Sequence, residues 1–333
     1  MTTYSPWSNP IDPQILFPRT AYERLLDHLN CKDHSQWLSK WSSRGGVEIA
    51  SYKWPIKTKR DWAWGIGLPF LSDIERHLFG ATKRTLFGIS GLPGSGKTSF
   101  GQWIKAAANE LNWSVDVVSM DDFYLPSQEL KRSMEGNPWL VPRALPGSHE
   151  IELMEATIEK WKRTGHLKAP KFDKSLQNGF GDRCGWNTST PKILIIEGWF
   201  LGCALSNGMS NSPESLYLQD DYLSPAEEDY RLIVQNSLKE YLPIWKKFER
   251  IWHFKAIHFL STRKWKTQQE LNLQRERGAS IKGKSLELFL RMIQTAIPQQ
   301  NLQLIKSDVV ARLNSSRAIK WVGIREEERN ISK

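Results

Sequence analysis

The sequence contains one stretch whose residue types and spacing could bind the phosphates of a nucleotide. It matches the pattern GxxxxGK[ST] and reads Gly91-Leu92-Pro93-Gly94-Ser95-Gly96-Lys97-Thr98, followed by Ser99. In such a loop the glycines let successive backbone N–H groups curl around phosphate oxygens, and the positive end of the next helix faces them. The lysine reaches the β- and γ-phosphates, and the threonine hydroxyl ligates Mg²⁺. We therefore predict that residues 91–99 bind Mg·ATP, with Lys97 also acting in catalysis and Thr98 holding the metal.

Carboxylates follow two of the apolar runs that could form buried strands. Asp121 and Asp122 come directly after the run 115–120, and Glu197 follows the run 192–196. Ligand sites in open α/β sheets lie at the carboxyl ends of the strands. One aspartate there can accept the proton of a hydroxyl that attacks a γ-phosphate, while the other bonds nearby backbone. A glutamate that closes an apolar strand can orient Mg²⁺ or its water shell, and we predict that role for Glu197.

The remaining periodicity predicts the elements that hold these residues. Short apolar runs predict strands, and apolar residues repeating about every 3.6 positions predict helices. The expected strands are 85–90, 115–120, 192–196, 251–260, 308–313 and 319–323. The expected helices are 20–29, 35–41, 69–79, 100–111, 151–161, one that begins after a cap at Ser224, 262–277 and 286–297. This alternation indicates an α/β fold, with a P-loop NTPase-type parallel sheet flanked by helices.

We predict two parts in the chain. Residues 1–80 form a helical N-terminal extension, and residues 81–325 form a P-loop kinase domain with acceptor-binding loops and a lid. Three segments rich in Gly, Pro, Asn and Ser are expected to be flexible loops, namely 125–148, 172–190 and 202–222. Loops of this length in a compact domain are usually functional, so these segments are candidates for binding the acceptor.

The composition narrows the class of protein. Lys and Arg outnumber Asp and Glu by 46 to 36, but they are dispersed rather than clustered as a nucleic-acid surface would require. No run approaches the roughly 20 apolar residues of a membrane span, and the first residues lack a secretory signal pattern. The three cysteines are far apart, which argues against a disulfide framework or a zinc site. We expect a cytoplasmic protein that binds neither nucleic acid nor membrane, and its oligomeric state stays open.

Several motifs in this order resemble a known family. They are GISGLPGSGKTS, SMDDFY, GNPWLVPRALPGSHE, PKFDKSLQNGFGDR, IIEGWF and WKTQQELNLQRERG. Together they resemble the D-glycerate 3-kinase family of plants and cyanobacteria, which is related to uridine kinase, phosphoribulokinase and bacterial pantothenate kinase. The likeness covers roughly residues 80–325. The P-loop is generic, whereas PKFDKS with GDR, joined to RALPGSH, is specific.

The resemblance implies ATP- and Mg²⁺-dependent phosphorylation of D-glycerate on its 3-hydroxyl, the last step of the photorespiratory glycolate pathway. It also implies that Asp121 is the general base, as the first aspartate of a D-x-F-[YH] motif. A small anionic acceptor needs cations and hydrogen-bonding groups, for which the family-like segments supply Arg143, His149, Lys171, Asp173, Lys174 and Arg183. We expect Arg143 or Arg183 to pair with the carboxylate. Asp173 and His149 are expected to fix the hydroxyls.

The basic helix expected over 262–277 is a candidate lid. Its cations Arg275 and Arg277 could cover the transferring phosphoryl group, balance its charge and exclude water, as in the related kinases. Lys266 stands where we expect the family to favour arginine, and a lysine cannot make the bidentate contact of a guanidinium.

Other functions fit parts of the sequence. The acceptor could be a nucleoside, pantothenate or another sugar acid, since only PKFDKS and GDR favour glycerate. A regulatory P-loop ATPase or a nucleic-acid-binding protein would use the same phosphate loop and the net charge of +10. Residues 1–80 could also bind another protein or a second subunit.

Overall fold

A six-stranded sheet carries the glycine-rich loop. The computed structural model describes residues 18–53, 60–80, 83–205, 223–277, 281–303 and 305–331. Its strands are β1 (Thr85–Gly91), β2 (Val115–Ser119), β3 (Leu167–Asp173), β4 (Asp182–Ser189), β5 (Ile193–Gly198), β6 (Arg250–Ala256), β7 (Val309–Leu313) and β8 (Ile319–Ile324). The strand order of the large sheet is β2-β5-β1-β6-β7-β8. Its strands are parallel except β8, which runs antiparallel to β7.

Helices cover both faces of this sheet. They are α1 (Arg19–His28), α2 (His34–Ser43), α3 (Arg60–Trp62), α4 (Leu68–Gly80), α5 (Lys97–Glu110), α6 (Ser127–Ser133), α7 (Ile151–Thr164), α8 (Pro225–Trp245), α9 (Ser261–Arg277), α10 (Gly283–Thr295), α11 (Gln299–Gln303) and α12 (Arg325–Ile331). Phe87 of β1 contacts Phe70 of α4, whereas a side chain at the next position, Gly88, would meet Leu201 and Phe248. Successive strand residues point to opposite faces. The predicted fold class is confirmed.

The described part of the N-terminal extension shares its hydrophobic core with the sheet. The indole nitrogens of Trp37 and Trp41 in α2 both donate to the hydroxyl of Ser72 in α4, at 2.8 and 2.9 Å. The indole of Trp103 in α5 donates to the carbonyl of Ile49 at 2.9 Å. The tryptophans of this region therefore join the helices of the extension to one another and to the helix that follows the phosphate loop. The domain boundary near residue 80 stays a prediction.

The structure differs from the sequence prediction in the segment 172–190. Strand β3 pairs antiparallel with β4, so most of this segment belongs to a hairpin rather than to a loop. Most of β4 is exposed, and apart from Cys184 and Trp186 its residues are polar or glycine, so it lacks the apolar alternation from which a strand is predicted. The segment 125–148 likewise contains α6, and the strand expected to reach residue 260 ends at Ala256. Of the third predicted loop, residues 206–222 lie outside the described residues.

Two further observations concern the helices and the cysteines. No described helix combines the length and apolar composition that a bilayer span needs. Cys31, Cys184 and Cys203 are free thiols.

Candidate nucleotide and acceptor site

The phosphate loop connects β1 to α5. Gly94 and Gly96 have φ angles of +78° and +102°, which favour glycine because other residues would be strained there. A side chain at Gly94 would also come within 2.8 Å of the Cβ of Trp265 in α9. The loop therefore needs glycine both for its conformation and for its close contact with α9. The local structure is the strand, loop and helix order that a phosphate cradle requires.

Lys97 lies at the start of α5, where the sequence predicted a phosphate-binding cation. Its side chain is buried, and its ammonium donates to the carbonyl of Leu92 at 3.2 Å. Burial lowers the pKa of Lys97, against the opposing effect of Glu197 and Asp121. A buried ammonium that donates to one neutral carbonyl is well suited to receive an anion, since phosphate oxygens would supply the charge and hydrogen bonds that the protein provides only in part.

Thr98 and Glu197 meet beside the loop. The Thr98 hydroxyl donates to Oε1 of Glu197 at 2.8 Å, and Glu197 is held in β5 opposite Ile89 of β1. A hydroxyl and a carboxylate oxygen are ligands that Mg²⁺ accepts, so the two residues fit the metal predicted from the sequence. The described residues contain no group of three His, Cys, Asp or Glu side chains placed to hold a metal. The ion would therefore share its shell with phosphate oxygens and water.

Asp121 and Asp122 follow β2 and have different partners. Oδ1 of Asp121 accepts from the Tyr124 hydroxyl at 2.9 Å, and Oδ2 contacts the Lys174 ammonium at 2.6 Å. Burial raises the pKa of Asp121, but Lys174, His149 and Tyr124 outweigh it and hold that pKa well below its usual range. Oδ1 of Asp122 accepts from the backbone N–H of Phe172 at 3.2 Å. One aspartate thus meets the cations of the site while the other supports the β3–β4 hairpin.

His149 lies behind Asp121 in a buried stack of rings. Its ring stacks on Tyr124 with centroids 4.5 Å apart, and Nδ1 lies 2.8 Å from the Tyr241 hydroxyl. That hydroxyl also accepts from the N–H of Gly147. Burial lowers the pKa of His149 to about 4, which keeps the ring neutral at pH 7. Nε2 has no hydrogen-bond partner among the described residues.

The two predicted carboxylate-binding arginines are engaged with protein groups. Arg143 donates to the carbonyls of Gly179 and Phe180 at 2.8 and 2.9 Å, which ties the 136–150 loop to the hairpin turn. Arg183 donates to the carbonyl of Tyr124 and forms an ion pair with Glu150. Arg183 thus lies on the hairpin and Arg143 contacts its turn, and the contact of either arginine with an acceptor stays a prediction.

The other predicted acceptor residues lie on the hairpin itself. Lys171 is exposed on β3. Oδ1 of Asp173 accepts from the N–H and the hydroxyl of Ser175, at 2.8 and 2.6 Å, so this carboxylate shapes the turn. Lys174 follows directly and reaches back to Asp121. The structure therefore brings Lys174 to the predicted base.

Helix α9 packs on the phosphate loop through its N-terminal half. The Lys266 ammonium forms a 2.5 Å ion pair with Glu270 and lies 4.7 Å from the ring centre of Phe289. The positive charge of Lys266 lowers the pKa of Lys97, and the negative charge of Asp121 raises the pKa of Lys266. Arg275 is exposed nine residues further along α9, about 14 Å at the helical rise. The role of Arg275 as a lid cation stays a prediction, and the side chain of Arg277 lies outside the described residues.

Comparison with known proteins places the chain among kinases. No family model matches it. It is 28% identical over 226 residues to the uncharacterized kinase mug58 of Schizosaccharomyces pombe, covering 64% of this chain and 79% of that one. It is 26% identical over 218 residues to the chloroplastic D-glycerate 3-kinase of Arabidopsis thaliana, covering 62% of this chain. The chain is a relative of D-glycerate 3-kinases. The matched part spans only 45% of the length of the plant enzyme.

A solved structure supports the same fold. The D-glycerate 3-kinase of Cryptococcus neoformans superposes on 90% of this chain and 98% of its own length, with a TM-score of 0.60 and 18% identity. At that identity the likeness shows the fold alone. The resemblance to D-glycerate 3-kinases noted in the sequence is confirmed by the relative from Arabidopsis.

Arg317 is a residue of this chain that contacts the phosphate loop and that was not predicted from the sequence. It lies in the turn between β7 and β8, where its Nε donates to the carbonyl of Gly94 at 2.7 Å. Its other nitrogens donate to the carbonyl of Trp265 and to the side chain of Gln268. The guanidinium thus holds the phosphate loop and α9 together. The sequence showed only an Asn-Ser-Ser turn there, and no local pattern links that turn to a loop more than 200 residues away.

We expect Arg317→Gln to weaken nucleotide binding. A hydrogen bond from a charged group is worth about 1.5–3 kcal/mol, so KM for ATP should rise about tenfold or more while kcat at saturating ATP falls less. Steady-state kinetics with varied ATP would measure this. Lys320→Gln removes the same charge from an exposed position in β8 and should behave like the natural protein. An equal rise of KM in both variants would show that Arg317 acts only through net charge.

Proposed function

We propose that this chain is an ATP-dependent kinase that phosphorylates the 3-hydroxyl of D-glycerate, giving 3-phospho-D-glycerate and ADP. One observation carries the proposal: the carboxylate of Asp121 is paired with the hairpin cation Lys174 and is close enough to Lys97 of the phosphate loop to raise its pKa. A hydroxyl acceptor with an anionic group would meet a base and a cation there. The relationship to the Arabidopsis D-glycerate 3-kinase supports the choice of acceptor. The place in the photorespiratory glycolate pathway belongs to the same proposal and rests on that relationship.

The nucleotide half of the site would bind ATP through residues 91–99. Backbone N–H groups of the loop and the start of α5 face the phosphates, and Lys97 bonds the β- and γ-phosphate oxygens. Thr98 and Glu197 would hold Mg²⁺, which would supply positive charge for the phosphate oxygens. Arg317 keeps the loop in this shape through its bond to Gly94.

The acceptor half would orient the attacking hydroxyl. The acceptor oxygen bonds to the γ-phosphorus, the bond from that phosphorus to the bridging oxygen breaks, and ADP leaves with the electron pair. The hydroxyl proton passes to Asp121. Nε2 of the neutral His149 has no partner in the described part of the chain, and in the tautomer protonated there it would donate to an acceptor oxygen. Lys174, Arg143 and Arg183 would supply positive charge for a carboxylate.

A coupled assay tests the acceptor and the position together. Purified protein with Mg·ATP and D-glycerate should form 3-phosphoglycerate, which phosphoglycerate kinase and glyceraldehyde-phosphate dehydrogenase convert with oxidation of NADH. L-glycerate, uridine and pantothenate at the same concentration serve as acceptor controls. Glycerate-dependent ADP formation with neither NADH oxidation nor release of inorganic phosphate would place the phosphate on the 2-hydroxyl. Phosphorylation of uridine or pantothenate in place of glycerate would reject the proposal and retain a kinase with another acceptor.

A further inference from the structure

The carboxylate of Asp121, the predicted base, is paired with the cation of Lys174, which can move. Its two oxygens contact different partners: Tyr124 on Oδ1 and Lys174 on Oδ2. Tyr124 is 1% exposed and packed against His149, so it is fixed in place. The side chain of Lys174 is 53% exposed and lies at the turn of the β3–β4 hairpin. Lys174 is therefore the partner that can leave Asp121 without disturbing the core.

An ammonium 2.6 Å from the carboxylate opposes proton transfer to it. The positive charge stabilises the ionised form, and the pKa of Asp121 is accordingly depressed despite burial. A carboxylate with such a low pKa is a weak general base near pH 7. The site therefore needs a way to weaken this ion pair when the acceptor arrives.

The neighbouring cations are less able to respond to an acceptor. Arg143 and Arg183 are held by carbonyl oxygens and by Glu150, and Lys266 is paired with Glu270. Lys97 is buried at the phosphate loop. The one described ion pair of Lys174 is with the base itself. A carboxylate that enters beside Asp121 would compete for the ammonium of Lys174 first.

We propose that Lys174 gates the reaction by holding Asp121 in an ion pair until the carboxylate of a hydroxy-acid acceptor draws its ammonium away. This inference rests on the proposed kinase function and adds a reason for its specificity. A neutral polyol or water offers no competing anion, so Asp121 stays paired and the hydroxyl is not activated. The same ion pair would thereby suppress both phosphorylation of neutral acceptors and hydrolysis of ATP.

Lys174→Met tests the gate with three acceptors: D-glycerate, glycerol and water. With D-glycerate, we expect kcat/KM to fall about 10–100-fold, mostly through KM, because a charged hydrogen bond to the acceptor is lost. With glycerol, and for phosphate release from Mg·ATP alone, we expect rates about tenfold above those of the natural protein. Lys168→Met removes an exposed lysine from the same hairpin and should change none of these rates.

The outcomes separate this inference from the proposed function. A loss with D-glycerate and no gain with glycerol or water would make Lys174 a binding cation only and overturn the gate. If the natural protein makes no phosphoglycerate, the proposed function fails, yet phosphate release by Lys174→Met still tests the gate. Equal thermal melting of the two methionine variants would exclude a folding defect, as expected for exposed side chains.

Discussion

Replacing Asp121 by asparagine is expected to lower kcat with D-glycerate by about 10²–10⁴-fold, the usual effect of losing a general base. Asparagine keeps the size of the side chain and can still accept from Tyr124 through its amide oxygen, so the ring stack behind it is preserved. It cannot take up the hydroxyl proton. Affinity for ATP should change little, because Asp121 has no described contact with the phosphate loop. Single-turnover rates and nucleotide titration would measure the two effects separately.

Asp122→Asn is the matched control for this variant. Its amide oxygen can still accept from the N–H of Phe172, so we expect the hairpin and the activity to be nearly unchanged. A larger loss for Asp122→Asn than for Asp121→Asn would move the base to Asp122 and contradict the assignment made from the D-x-F-[YH] motif.

The pH profile follows from the same ion pair. A carboxyl with a depressed pKa is ionised, and able to accept a proton, at every pH above that value. In the free natural protein, therefore, Asp121 should cause no acidic fall in kcat/KM between about pH 5 and 8. His149 is neutral over the same range, since burial lowers its pKa to about 4.

The sequence predicted the features that depend on residues close together along the chain. The phosphate loop needs glycine at particular positions, and the apolar runs before it and before Glu197 leave little choice but buried strands. The carboxyl ends of such strands meet at one edge of a parallel sheet. That rule alone brings Asp121 and Glu197 to the phosphate loop, where both negative charges raise the pKa of Lys97.

Residues that act through distant contacts were not predictable in the same way. Arg317 meets Gly94 only because β7 and β8 return beside the phosphate loop. Strand β4 is stabilised by pairing with β3 rather than by burial of its own side chains, so it has no apolar pattern to recognise. The ion pair between Lys174 and Asp121 depends on that hairpin. The sequence therefore supplied Lys174 as a candidate cation but not its contact with the base.

Lys97→Met should abolish most activity and make the ligand-free protein more stable. One missing electrostatic contact to the transition state typically lowers kcat by about 10²–10³-fold, and Lys97 is the buried cation of the phosphate loop. Without nucleotide its burial is unfavourable, as its lowered pKa indicates. Replacement by a similarly shaped apolar side chain should raise the free energy of unfolding by about 1 kcal/mol or more.

Activity and urea unfolding, measured on the same preparations without nucleotide, would test both parts. Lys264→Met, an exposed change in α9, should leave the free energy of unfolding within about 0.5 kcal/mol of the natural value. A stabilised, inactive Lys97→Met would mean that the site retains an unfavourable buried charge because phosphate binding requires it. A destabilised Lys97→Met would mean instead that the hydrogen bond to Leu92 and the negative charges of Glu197 and Asp121 already compensate the burial. The loop would then be held together by Lys97 in the absence of nucleotide.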